Sequence, residues 1–144
     1  MREIRSEVEI EASAETVWDV LTDFAAYPEW NPFIVKAEGE LVSGRHIAVK
    51  IQPPGHRASS FRPKLLSVEP GSGFRWLGRL GVRGVFDGEH AHEIEPLGPH
   101  RSRYVQSEQF HGALVAPFGG MLRDAERGFG EMNAALKERA EKAA

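Results

Sequence analysis

The chain has 144 residues with 18 basic and 21 acidic side chains, so it lacks the basic excess that is typical of nucleic-acid-binding domains. It contains no cysteine, which excludes disulfides, thiolate nucleophiles and cysteine metal sites. Hydrophobic residues make up 41% of the sequence and charged residues 27%, as in an ordinary globular domain. We therefore expect one domain over residues 1–144 that binds no nucleic acid.

The sequence shows no pattern typical of export or of membrane insertion. Its first residues alternate charged and aliphatic side chains instead of forming the apolar core of a secretory signal. It has no run of about 18 consecutive apolar residues, the minimum for a membrane-spanning helix. Walker, dinucleotide-binding and Gly-x-Ser-x-Gly motifs do not occur either. We expect a cytoplasmic protein with no membrane span and no cofactor.

The first quarter of the chain predicts a strand, a helix and an aromatic turn. Residues 3–11 alternate aliphatic and charged side chains, which is typical of a strand with one face in water. Ser13 is a suitable N-cap for a helix over residues 14–23. Residues 24–33 hold four aromatic side chains and two prolines, which prevent a long helix. We predict a short helical turn there that covers one end of a sheet.

The middle of the chain predicts short strands joined by turns. The strands are expected at residues 46–51, 61–68, 74–77, 85–95 and 103–110. The alternation within the second of these changes phase at Leu65 and Leu66, which indicates a bulge. Residues 96–99 are expected to connect the last two strands. Consecutive strands of this kind predict an antiparallel meander.

The C-terminal segment predicts a helix of about 20 residues with one apolar face. The apolar residues that recur at helical spacing are Phe118, Leu122, Ala125, Phe129, Met132 and Leu136. Gly128 lies close to this face and has two interpretations. It permits close contact between the helix and the sheet, or its missing side chain leaves room for a ligand.

These elements together predict an α+β fold with an internal cavity. An antiparallel sheet buries its apolar face against another element, here the C-terminal helix. Because a long twisted sheet curls, a straight helix cannot contact all of it. The remaining gap becomes a cavity unless large side chains fill it.

The last two predicted strands place polar side chains on the buried face of the sheet. Three acidic residues on the opposite face of residues 85–95 mark that face as solvent-exposed, so His90 and His92 are expected to point inward. On the next strand, the aromatic residues favour an inward set that includes Gln106 and Glu108. The inward residues are Phe86, Gly88, His90, His92 and Ile94 on one strand and Tyr104, Gln106, Glu108 and Phe110 on the other.

A register for this hairpin follows from the short connection at residues 96–99. The facing pairs on that register are Ile94 with Ser102, His92 with Tyr104, His90 with Gln106 and Gly88 with Glu108. It brings His90, Gln106 and Glu108 within side-chain reach. A buried carboxylate is costly without partners, so the cluster requires internal hydrogen bonds, water or a ligand.

Four uses of this polar cluster stay open. The side chains form a satisfied internal network, or they anchor a ligand in an apolar pocket. His90 and Glu108 could instead perform acid–base catalysis. The fourth use is a metal site of His90, His92 and Glu108, although no third ligand is certain, and we expect no metal.

Four stretches of the sequence resemble the START-like superfamily of polyketide cyclase/dehydrase and lipid-transport proteins. They are residues 10–18, residues 23–33, residues 75–79 together with 86–90, and residues 105–112. The most specific are Ala-x-x-Val-Trp, ending at Trp18, and Tyr-Pro-x-Trp-Asn-Pro, beginning at Tyr27. The resemblance implies a helix-grip fold, a curved antiparallel sheet around a long C-terminal helix with a hydrophobic cavity between them. It implies no reaction, because members of this superfamily include lipid binders, quinone binders, aromatase/cyclases and chaperone co-activators.

Our main hypothesis is therefore a protein that binds a small hydrophobic molecule with one polar end, such as a lipid, a quinone or an aromatic polyketide. The candidate ligand-binding residues are Trp30, Phe33, Trp76, Phe86, His90, His92, Tyr104, Gln106, Glu108, Gly128, Phe129 and Met132. The first alternative is a cyclase or dehydratase in which His90 is the base and Glu108 orients it. The second is a protein-interaction module without a ligand, which uses the outer face of the sheet or the segment around Trp30.

Overall fold

The described residues of the chain form one curved β-structure flanked by helices. The computed structural model describes residues 2–79, 87–112 and 119–144. In chain order the elements are β1 (Arg2–Ile10), α1 (Ala14–Thr22), a 3₁₀ turn (Phe24–Ala26), α2 (Tyr27–Trp30), β2 (Ile34–Glu38), β3 (Ala48–Ile51), β4 (Ser59–Phe61), β5 (Lys64–Glu69), β6 (Gly73–Arg79), β7 (Asp87–Gly98), β8 (Arg101–His111) and α3 (Gly119–Ala143).

The strands pair in two antiparallel groups that continue into each other. The larger has the order β1-β8-β7-β6-β5 and the smaller the order β2-β3-β4. The segment before β3 pairs with β5, where Ile47 N–H donates to the Pro63 carbonyl at 3.0 Å and Leu65 N–H to the Arg45 carbonyl at 2.8 Å. The sheet therefore bends around α3, which confirms the α+β helix-grip architecture.

The N-terminal elements form as the sequence predicts. The Ser13 side chain accepts a hydrogen bond from the Thr16 N–H at 3.1 Å and so caps α1. The aromatic segment forms the 3₁₀ turn and α2, in which the ring of Tyr27 packs edge to face on those of Phe24 and Trp30. The Tyr27 hydroxyl donates to the Leu21 carbonyl at 2.5 Å and ties this segment to the end of α1.

The prediction of one strand over residues 61–68 is wrong. Residues before and after Pro63 belong to different groups, since β4 pairs with β3 and β5 pairs with β6. Pro63 has no N–H to donate to a ladder, so the chain changes partners there. The predicted bulge is confirmed, because the β5–β6 register shifts between Leu65 and Ser67.

The predicted register of the β7–β8 hairpin is also wrong, by two residues. Strand β7 continues to Gly98, which faces Arg101, so Pro96, Leu97 and Gly98 belong to the strand instead of to its connection. A bulge between Pro96 and Gly98 accommodates the proline near the turn. The pairs are therefore Ile94 with Tyr104, His92 with Gln106, His90 with Glu108 and Gly88 with Phe110. A shift of two residues leaves every side chain on its predicted face.

Helix α3 has 25 residues, and its predicted apolar face is buried against the sheet. Leu122, Phe129, Met132 and Leu136 are each at most 1% exposed, whereas Phe118 lies outside the described residues. Hydrogen bonds connect α3 to the end of β1 and to Glu11, the residue that follows this strand. Among the described helices, none is long and apolar enough to span a membrane.

The interior face of the glycine-containing segment of α3 is in tight contact with an aromatic ring. A Cβ atom built on Gly128 would lie 2.3 Å from Cδ1 of Phe33, whereas one on Gly130 would meet only the Ser6 hydroxyl at 4.0 Å. Phe33 is itself buried and its ring packs edge to face on Phe129. The space over Gly128 is thus filled by protein, which favours close packing over room for a ligand.

We expect Gly128→Ala to lower the free energy of unfolding by about 1–3 kcal/mol, because the buried Phe33 ring has to move. The matched change Gly130→Ala should raise it by about 0.5–1 kcal/mol, since the methyl group has space and alanine favours a helix. Urea unfolding of both variants measures the difference. Equal stabilisation by the two changes would contradict the tight contact.

Candidate functional site

A cavity of about 490 Å³ lies between the bent sheet and the first turns of α3. This volume is within the range of small-molecule binding pockets. Most of the wall is apolar, and its apolar residues include Phe33, Val49, Ile51, Trp76, Phe110 and Leu122. The cavity thus has the composition expected for a site that holds a hydrophobic molecule.

The polar side chains of the cavity fall into two sets. His90 and Glu108 belong to the central strands, and their side chains are only 1% and 18% exposed. His56, Arg57 and Arg79 are more exposed and line another part of the wall. His56 Nε2 lies 2.7 Å from Asp124 Oδ2, so this contact connects the loop between β3 and β4 to α3 beside the cavity.

The central strands present Trp76, His90 and Glu108 as one row across the sheet. Trp76 on β6 pairs with His90 on β7, which pairs with Glu108 on β8. Directly paired residues of neighbouring strands share a face, so the three side chains lie side by side on the cavity wall. The inward orientation predicted for His90 is therefore confirmed.

His90 is held by a chain of hydrogen bonds that crosses the interior to β1. Its Nε2 lies 2.8 Å from Oε1 of Gln106, and the Gln106 amide donates to Oδ1 of Asn133 on α3 at 3.0 Å. The Asn133 amide in turn donates to the Ser6 hydroxyl on β1 at 3.1 Å. Gln106 and Asn133 are both buried. The chain thus joins β7, β8, α3 and β1 through satisfied polar groups.

The orientation of this chain determines which atom of His90 faces the cavity carboxylate. Because Gln106 presents its carbonyl oxygen, His90 Nε2 carries a proton and donates it. The other ring nitrogen, Nδ1, lies 3.4 Å from Oε1 of Glu108. Two lone pairs facing each other would repel, so the arrangement is favourable when one proton lies on Nδ1 or on the carboxyl group.

His92 belongs to the core beside this site. It is 1% exposed, its Nδ1 lies 2.5 Å from the Tyr104 hydroxyl, and its ring stacks on that of His90 with centroids 4.5 Å apart. Burial lowers the pKa of His92 well below its usual value, and the neighbouring His90 lowers it further. Burial likewise raises the pKa of Tyr104, which therefore stays a neutral hydroxyl. His92 is thus a neutral packing residue.

The twelve predicted site residues separate into those that line the cavity and those that do not. The lining residues are Phe33, Trp76, His90 and Glu108. The residues behind the wall or in the surrounding core are His92, Tyr104, Gln106, Gly128, Phe129 and Met132. Trp30 lines a separate cavity of about 340 Å³ between the N-terminal helical segments and the end of α3. Phe86 lies outside the described residues.

The part of the wall that comes from the three-stranded group was not predicted from the sequence. Val49 and Ile51 on β3 and Phe61 on β4 line the cavity, as do Met121 and Ala125 on α3. Alternation in residues 46–51 indicated a strand, but only the bend between the two groups of strands brings that strand opposite the central row. On α3, the apolar face predicted from helical spacing already included Ala125.

The geometry does not support the metal-site hypothesis. Over residues 2–79, 87–112 and 119–144, no group of three or more potential His, Asp or Glu ligands is arranged to hold a metal ion. The rings of His90 and His92 stack on each other and direct one nitrogen each to Gln106 and Tyr104.

Residues 1–141 match the model of the family described as polyketide cyclase / dehydrase and lipid transport. The chain belongs to this family. A search of curated proteins found no match.

Three solved structures are similar to this chain in fold. A START superfamily protein from Mycobacterium smegmatis is 23% identical, with 99% of each chain covered and a TM-score of 0.76. The Zhui aromatase/cyclase from Streptomyces sp. R1128 is 19% identical over 98% of this chain and 94% of that one, with a TM-score of 0.78. Norcoclaurine synthase from Thalictrum flavum, in complex with dopamine and hydroxybenzaldehyde, is 17% identical over 99% and 88%, with a TM-score of 0.72. At these identities the likeness establishes the fold.

The lowered pKa of His92 predicts a loss of stability in mild acid. Below about pH 6.5, the ordinary histidine pKa, the unfolded chain binds a proton at this residue and the folded chain does not. The contribution of His92 to the free energy of unfolding should therefore decrease as the pH decreases, by at most about 1.4 kcal/mol per pH unit. The decline should end once the pH drops below the folded pKa.

Urea unfolding between about pH 7.5 and 5.5 tests this linkage in the parent chain and in His92→Gln. The variant should show a shallower loss of stability with acid. His100→Gln, a change at an exposed histidine of the β7–β8 turn, should keep the parent slope. Identical slopes for the parent chain and His92→Gln would show that His92 is not held neutral.

Proposed function

We propose that the chain binds a small, mainly hydrophobic molecule in the 490 Å³ cavity, with the polar end of that molecule at Glu108. The observation that carries this proposal is the polar pair His90–Glu108 on an otherwise apolar wall. An apolar pocket with a few convergent polar groups is typical of a small-molecule site. The expected cytoplasmic location stays a prediction.

The arrangement assigns different roles to the predicted residues. Phe33 and Trp76 would contact the apolar body of the ligand, and Glu108 its polar end. Gln106 would act through His90, to which it is hydrogen-bonded. Aromatic ligands are supported by the aromatic wall, and a protein of the same fold, norcoclaurine synthase, holds dopamine and hydroxybenzaldehyde.

A second candidate function is acid–base catalysis of the cyclase or dehydratase type, and the position of Glu108 favours it. Each nitrogen of His90 already faces a protein group, Gln106 on one side and Glu108 on the other. The sequence-based hypothesis made His90 the base, whereas the geometry favours the more exposed Glu108. His90 would then hold the carboxyl group in place. A filled interior would favour the third hypothesis, an interaction module without a ligand, and the cavity favours the first two.

Filling the cavity tests the proposed binding function. Ala125 on α3 lines the cavity, and Ala134 on the same helix is exposed to solvent. We expect Ala125→Trp to weaken binding of the neutral fluorophore N-phenyl-1-naphthylamine by at least about tenfold, because the indole occupies ligand space, and Ala134→Trp to leave it unchanged.

The measurement is a fluorescence titration, accompanied by unfolding curves to verify that both variants fold. Displacement of the fluorophore by lipids, quinones and polyketide-like aromatics then ranks ligand classes. Equal binding by the two variants would place the fluorophore elsewhere and contradict the proposal.

The catalytic alternative predicts a separate outcome at Glu108. For any cavity ligand that the chain converts, Glu108→Gln should lower kcat by about 100-fold or more, since a positioned acid–base group contributes on that scale. Binding of the same molecule should persist, because Gln keeps the size of the side chain and an acceptor oxygen. An unchanged kcat would exclude acid–base catalysis by this residue.

A further inference from the structure

The cavity presents one well-defined polar atom from its buried pair. His90 is 1% exposed, its Nε2 is hydrogen-bonded to Gln106, and its Nδ1 faces Oε1 of Glu108. The imidazole therefore has no free nitrogen for a ligand. The side chain of Glu108 is 18% exposed, and its second oxygen, Oε2, is not the atom that faces His90.

Gly88 provides the space in which this oxygen lies. A Cβ atom on Gly88 would be 2.3 Å from Oε2 of Glu108 and 3.5 Å from Cε1 of Phe110. Gly88 is not among the glycines with a positive φ, so an alanine is compatible with its backbone. A larger residue at this position would therefore displace the carboxyl group, which is the far end of a flexible side chain, without straining the backbone.

Oε2 is a hydrogen-bond acceptor when Glu108 is a carboxylate, because an ionised carboxyl group has lone pairs on both oxygens and no proton. A hydroxyl or N–H group of a ligand can donate a hydrogen bond to Oε2. A ligand carboxylate offers only further acceptors, so at this oxygen it would lose its hydration without compensation.

We propose that Gly88 and Glu108 make the cavity selective for hydrophobic ligands that carry a neutral hydrogen-bond donor, a phenol, an alcohol or an N–H group, over hydrophobic carboxylates. This selectivity rests on the proposed binding function and specifies its ligand class. A carboxylate ligand would have to place its anionic end at one of the exposed arginines of the wall, Arg57 or Arg79, instead. Its affinity would then be independent of Gly88.

Three ligands with the same ring system test the donor preference. They are naphthalene, 2-naphthol, which is neutral at pH 7, and 2-naphthoate, and their binding is measured by quenching of tryptophan fluorescence. We expect 2-naphthol to bind at least about tenfold more tightly than either of the others, the effect of one hydrogen bond to a charged or strongly polar acceptor. Equal affinities, or tighter binding of 2-naphthoate, overturn the selectivity while leaving ligand binding intact. Failure of all three to bind overturns the proposed function itself.

Two alanine variants distinguish the effect of Gly88 from simple loss of volume. Gly88→Ala displaces Oε2 and should reduce the preference for 2-naphthol over naphthalene to about one. Gly78 lies directly opposite on β6, and a Cβ atom there would meet nothing closer than the Gly88 carbonyl oxygen at 3.9 Å. Gly78→Ala therefore adds the same methyl group to the same face, and the ratio of the two affinities should stay as in the parent chain.

A third variant tests the same assignment if Gly88→Ala fails to fold. Glu108→Leu removes the acceptor without enlarging any residue of β7, and it too should abolish the preference for 2-naphthol. Retention of the preference in a folded Gly88→Ala or Glu108→Leu variant overturns the assignment. Loss of the preference in both, with the ratio kept in Gly78→Ala, supports it.

Discussion

The site in this protein depends on one constraint, that the buried side chains of His90, Gln106 and Asn133 need hydrogen-bond partners. His90, Gln106 and Asn133 are almost fully buried, and each would be costly if left unpaired. The hydrogen-bond chain that satisfies them ends at Ser6. Because its members come from four different elements, it also fixes how α3 lies across the sheet. The residue at the other end of the chain, Glu108, is the more exposed member of the buried pair that it forms with His90.

Much of the fold was predictable because its signals are local. Alternation located β1 and the inward face of β7, and helical spacing located α3. Both errors involve a proline: Pro96 was interpreted only as a turn residue, and Pro63 was included inside one predicted strand. Pro96 continues a strand beside a bulge, and Pro63 divides two strands that belong to different groups. Face assignments survived the first error because a shift of two residues preserves the pleat.

Only part of the site could be predicted, because the walls of a cavity consist of residues that are far apart in the sequence. The central row was found because acids on one face of a strand indicate the other face. Val49 and Phe61 were missed because their position depends on how sharply the sheet bends, which no local pattern encodes. Gly128 and Gly88 illustrate the same limit. One glycine admits the ring of Phe33 and the other a carboxyl group, and only the three-dimensional neighbours distinguish these roles.

The carboxyl group of Glu108 also explains why the surrounding side chains do not simply move inward and close the cavity. Collapse would bury Oε2 of Glu108 against apolar side chains such as Phe33 and Leu122, at the cost of an unsatisfied acceptor. An empty, dry cavity carries the same cost, because polar cavities are favourable when water or a ligand group satisfies them. The volume around Glu108 is therefore stable only with a donor present. In the proposed function, a ligand would replace water at that oxygen with its own donor while it covers the apolar wall, which is where most of its affinity would arise.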